Sequence, residues 1–220
     1  MSTSVLLLTH LAFFAIWLGA HLAGLVLLWQ MRAAERSGAT EQRHMVVALM
    51  RIERLSRSAF ILMLPLGIEL AEARGLFEMT GAGTAGVWLL ALIWLIGVWR
   101  QPRSRRTDLA VGIRTAQRVL MVIVGLLMLG TGALSLAGGP PLGTSWLAAK
   151  FMLYGAALLL TFGIEMVTQP VLYSTEGDSL RPPPPFAVSL EHSLPRASAL
   201  AVLLYLCLLA AAWFGLTQGA

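Results

Sequence analysis

The chain has 220 residues, of which 57% are hydrophobic and only 12% charged, and its mean hydropathy is +0.76. That balance excludes an ordinary soluble domain, and the length excludes a sizeable soluble domain beside a membrane bundle, so a single membrane domain over 1–220 is expected. A formal net charge of +5 would suit nucleic acid, but the arginines fall between apolar runs, where orientation signals belong, so no nucleic-acid partner is expected.

The first 31 residues hold no Asp, Glu, Lys or Arg. A run of that length exceeds the roughly 20 residues that cross a bilayer and predicts a helix over 5–31. A second segment is predicted over 45–73, with an arginine-rich amphipathic start, and a third over 84–99. The fourth, 114–137, should stop at Gly138-Gly139-Pro140-Pro141. The fifth, 145–169, should end at Pro170, and the sixth should open with Pro195 in its first turn and run to about Thr217. In a bilayer each must be helical, because only a helix satisfies every backbone group within its own segment. The expectation is therefore an all-α, polytopic bundle of six transmembrane helices. The 170–194 link, with Pro182 to Pro185, reads as an extended cytoplasmic strap. Cys207, the only cysteine, allows no internal disulfide and reads as a small buried hydrophobe.

Fourteen of the sixteen basic residues fall in or beside the first, third and fifth links, leaving Arg74 and Lys150 on the other side. Short basic loops stay cytoplasmic, so both termini are expected in the periplasm of a bacterial inner membrane.

His10 and His21 share the uncharged first segment. Eleven residues of helix place them about 20° apart around the axis and about 16 Å apart along it, which suits two sites at two depths. Each is a candidate haem or metal ligand, and the plain alternative is a hydrogen bond to a neighbouring helix. Lys150 is the only lysine; it either snorkels to the outer interface or works in a site. Glu69 and Glu72 are three residues apart on one helix face, so His10, Glu69, Glu72 and Lys150 are expected to line one outer pocket, with Lys150 and Glu69 as candidate catalytic groups. Glu165 should be neutralised by Arg114 or Arg118. Arg51, Arg54 and Arg57 read as a solvated membrane-surface face or a basic mouth, and Trp88, Trp94, Trp99 and Trp146 as interfacial belts. No phosphate-binding loop, dinucleotide fingerprint or zinc-protease motif is present.

His10 followed by Trp17-Leu18-Gly19, then Met50-Arg51-Ile52-Glu53-Arg54-Leu55 before Pro65 and Gly67, resembles the start of the HemJ-type protoporphyrinogen oxidases. Trp146-Leu147-Ala148-Ala149-Lys150 resembles that family's Trp-Leu-His-x-Lys element, with Ala148 in place of its histidine and on the fifth segment rather than the third. The CopD copper-resistance membrane proteins are similar in the same places. About half the chain is covered. The resemblance implies haem b, with His10 as ligand and Lys150 as a second matched position, and a redox protein acting on a porphyrin or quinone. A CopD-like copper permease is the alternative; a non-catalytic subunit of a larger membrane complex is another. The bilayer is the expected partner, with a membrane-protein partner or homo-oligomer beside it.

Overall fold

The computed structural model describes residues 2–33, 39–100, 108–173 and 186–217. Among them are six α-helices and no strand: α1 (Thr3–Ala33), α2 (Ala39–Ala73), α3 (Gly81–Arg100), α4 (Asp108–Leu136), α5 (Ser145–Tyr173) and α6 (Phe186–Thr217). Each packs on its neighbours in the chain, α3 only lightly on α4, and α6 returns to α1, so the helices form a ring in sequence order. Side chains of α2 and α5 meet across the middle: the Tyr154 hydroxyl donates to the Phe60 carbonyl at 2.7 Å.

The five helices other than α2 are long and apolar enough to cross a membrane. Only 17–33% of the most apolar stretch of each span is buried inside the bundle, and the exposed residues include large apolar side chains such as Leu89, Ile93, Leu203 and Leu206, which need lipid rather than water around them. The chain is a multi-pass helical membrane protein. In α2, charged residues from Arg51 to Arg57, then Glu69 and Glu72, interrupt the apolar run, and the partners of these charges must come from neighbouring helices.

Two proline boundaries differ from expectation. Helix α5 runs through Pro170, and α6 begins nine residues before Pro195, so 186–194 are helical rather than part of a strap. The rest of that link, including Pro182 to Pro185, lies outside the described residues, as do Arg36, Arg103, Arg105, Arg106 and Arg181. A proline inside a helix costs about 3 kcal/mol. Around both prolines, Val171, Leu172, Leu190 and Leu194 are buried against Leu28, Met31 and Leu49. Close packing of these side chains, which is what associates helices in lipid, holds the chain helical through both prolines.

Helices α4 and α5 touch backbone to backbone. A Cβ on Gly155 would lie 2.5 Å from the Gly125 carbonyl, and one on Gly132 would lie 2.5 Å from the Ala148 carbonyl. Small residues at such a seam replace the hydrophobic effect, which does not drive helices together in lipid, with close packing. The seam fixes α5, which carries both Lys150 and Glu165.

The bundle is plugged at mid-height. Trp17, fully buried, lies 5.8 Å from both the Phe60 and the Tyr154 rings, and Trp94 meets Phe60 edge-on at 5.5 Å. Trp94 is only 4% exposed, so it belongs to the core and not to an interfacial belt. Cys207 is partly buried against the same cluster. The plug separates the end of the bundle near His10 and Lys150 from the arginine-rich end.

Candidate functional site

Toward the end that carries Lys150, α1, α2, α5 and α6 enclose a cavity of about 460 Å³, with Met128 of α4 also in its wall. Most of its lining is apolar, including Leu7, Leu11, Phe14, Met63, Leu147 and Phe151. Its chemistry comes from His10, Lys150 and Arg74. Helix α2 delivers Arg74 by ending there: Gly75 adopts φ +67°, and the Leu76 amide donates back to the Ala71 carbonyl at 3.0 Å, a turn that glycine makes without strain.

Each functional side chain sits over a glycine of another helix. A Cβ on Gly67 would lie 3.2 Å from His10 Cε1, and a Cβ on Gly215 would lie 2.6 Å from Lys150 Nζ. His10 Nδ1 is buried without a hydrogen-bond partner. The Lys150 ammonium lies 5.4 Å from the centroid of the Trp146 ring, a weak cation–π contact.

Glu69 and Glu72 do not join them. The Trp88 indole donates to Glu69 Oε1 at 2.6 Å, while Glu72 accepts from the Met79 amide at 3.0 Å and from the Thr84 hydroxyl. The two carboxylates do share a helix face, as their spacing required, but that face packs on α3 and the N-terminal approach to it. Three donors there satisfy what the cavity would otherwise have had to supply. The expected four-residue pocket is thus a His10–Lys150 pocket, and Glu69 stands outside it as an anchor for α3.

The opposite half holds a buried ionic node. Arg118 Nε lies 2.9 Å from Glu165 Oε1, and Arg57 Nη2 lies 2.8 Å from Glu165 Oε2. Arg57 also donates to Gln117 at 3.2 Å, and Arg118 to Gln169 at 3.2 Å. Arg118 was one of the two partners expected for Glu165; Arg57 was expected in water or at the membrane surface, and its side chain is only 12% exposed. Beside the node a pocket of about 50 Å³ is lined by His21, Ser56, Thr161 and Thr168. His21 Nε2 is 3.5 Å from Thr161 Oγ1, whose hydroxyl donates to the Ala157 carbonyl. His21 therefore has the helix-to-helix contact that was its plain alternative.

His10 and His21 lie in separate pockets, about 16 Å apart along α1. Metal–imidazole bonds of about 2 Å cannot join them at one ion. Among the described residues no three His, Cys, Asp or Glu side chains converge. Gly215 carries no sequence motif, and Gly67 entered only through the resemblance; matching their depth to that of Lys150 and His10 would have found both contacts. Comparison with family models, curated proteins and solved structures finds no match.

Proposed function

We propose that the chain is a bacterial inner-membrane, haem b-associated redox protein, with the outer cavity as the haem or porphyrin site and His10 as the iron ligand. Both termini would then be periplasmic, as the arginine asymmetry favours. The observation that carries this is His10 itself: a half-buried histidine whose buried Nδ1 has no hydrogen-bond partner among the described residues, in the wall of a mostly apolar cavity of about 460 Å³. A neutral imidazole nitrogen is a common haem ligand, and a dry apolar surround suits the macrocycle. Haem b would supply one-electron chemistry there.

The chain's own residues orient and shield. Gly67 leaves the space in which His10 turns, and Phe14, Met63 and Met128 wall the cavity. Tyr154 also lines it, but its hydroxyl is committed to Phe60, so it presents ring rather than donor. The plug of Trp17, Phe60 and Trp94 excludes water from the arginine side. A copper permease is the second reading, favoured by Met63 and Met128 sharing the cavity with His10, since thioethers and imidazole suit Cu(I).

The test is an absorption spectrum of detergent-purified protein, oxidised and dithionite-reduced. We expect a haem b spectrum in the wild type, its loss in His10→Ala, and its retention in His44→Ala. Wild-type protein without haem after expression with haem supplementation, or full haem content in His10→Ala, would overturn the proposal.

A further inference from the structure

The outer cavity contains two cations and no counter-charge. Neither Lys150 nor Arg74 makes a hydrogen bond or ion pair with a carboxylate among the described residues, and Arg74 is near enough for its charge to act on Lys150. The acids nearest in depth, Glu69 and Glu72, are held on α3 by Trp88, Thr84 and the Met79 amide. A cation in or near the hydrocarbon needs an anion or strong hydration, and two of them facing one apolar cavity double that need.

We infer that Lys150 and Arg74 form a seat for the oxyanion of an amphiphilic ligand whose apolar body fills the cavity, and that Gly215 is a positioning residue for Lys150. The body of the ligand meets Leu11, Phe14 and Met63; its carboxylate meets the two cations. Gly215 matters because any side chain there would occupy the place of the Lys150 ammonium, 2.6 Å from the would-be Cβ. The face of the Trp146 ring lies 5.4 Å from the same ammonium. The seat rests on the cavity being a ligand site, and it specifies the ligand class: an apolar body with at least one carboxylate, as in a porphyrin diacid. A phospholipid phosphate offers the same oxyanion chemistry and is the competing source.

The test uses metal-free protoporphyrin IX and its dimethyl ester, which share the macrocycle but carry two carboxylates and two methyl esters respectively, titrated by fluorescence against the full-length protein in phosphatidylcholine nanodiscs. Without iron there is nothing for His10 to ligate, so the seat and the haem ligand succeed or fail separately. We expect the diacid to bind about tenfold more tightly than the ester, the size of one charge-assisted hydrogen bond. In Lys150→Met the ratio should fall close to one, and in Arg74→Gln it should fall part-way. Gly215→Val changes no charge and should also lower the ratio; Gly215→Ala, the milder variant, keeps that test available if valine prevents folding. A ratio unchanged by Lys150→Met, equal binding of both compounds by the wild type, or binding of neither would overturn the seat. Repeating the titration with phosphatidylglycerol present separates the sources. Diacid binding should persist; its competitive loss would assign the seat to the lipid phosphate and overturn the ligand assignment.

Discussion

The two halves of the bundle treat charge in opposite ways. At the arginine-rich end Glu165 has a guanidinium on each oxygen, and one further donor of Arg57 and one of Arg118 reach Gln117 and Gln169, so side chains of α2, α4 and α5 are tied at one point. At the other end Lys150 and Arg74 face a cavity without an acid, and a buried histidine nitrogen faces no partner. Both arrangements hold ionisable groups at membrane depth. The difference lies in counter-charge: guanidiniums gathered on a shared carboxylate make a structural joint, and cations facing a cavity without one leave binding capacity.

The comparison breaks most visibly if the Glu165 node is opened. Glu165→Gln removes the charge that both arginines share and leaves two buried guanidiniums facing a neutral amide. Truncating one partner of a buried pair costs about 3–5 kcal/mol. We expect a large fall in thermal stability in detergent and little folded protein at physiological temperature. The double variant Glu165→Gln with Arg57→Met should recover part of the loss, because one uncompensated charge is gone. Near-wild-type stability in Glu165→Gln would mean that water, rather than Glu165, neutralises the node.

An intermediate effect is expected at the Trp88–Glu69 anchor. Trp88→Phe keeps the aromatic ring and removes the donor to Glu69, a charge-assisted bond worth about 1.5–3 kcal/mol. Half-burial of Glu69 places the loss at the lower end. Unfolding should shift accordingly, and if the proposed haem is bound its absorption spectrum should stay unchanged, since Glu69 lies outside the cavity. A changed spectrum would return Glu69 to the site.

Helix number and rough extent were legible because the bilayer leaves the backbone no alternative, whatever the side chains do. Pro170 and Pro195 misled because their penalty is local, while the packing of Val171, Leu190 and Leu194 that offsets it is tertiary. The arginine series misled for a geometric reason. A spacing of three residues turns 300°, so each step drifts by about 60°, and Arg57 points about 120° away from Arg51. The structure follows that drift: Arg51 is exposed, while the Arg57 side chain is only 12% exposed. His10 and Lys150 in one cavity were legible from depth alone. The orientation of Glu69 was not, because depth says nothing about which neighbour a face meets, and Trp88 reads equally well as an interfacial tryptophan until its indole is seen on Glu69.

The smallest effect on stability, and the most telling one, is expected at Lys150. Had Glu69 or Glu72 been its partner, Lys150→Met would strand a carboxylate in low dielectric and destabilise the protein as Glu165→Gln does. Both carboxylates have other donors, so nothing is stranded. Methionine also keeps the unbranched stem that packs between Trp146 and Gly215 and removes only a charge that lacks a counter-ion. We therefore expect the ligand-free Lys150→Met protein to be as stable as the wild type, or more stable by up to about 1 kcal/mol. The ligand-bound comparison should run the other way, because the wild type gains stability from the bound diacid according to its affinity and the variant gains less. Thermal unfolding of both proteins with and without protoporphyrin IX reads the two signs in one experiment. Destabilisation of ligand-free Lys150→Met by 2 kcal/mol or more, on the order of a broken buried pair, would show that Lys150 belongs to a closed joint and would erase the contrast between the two halves.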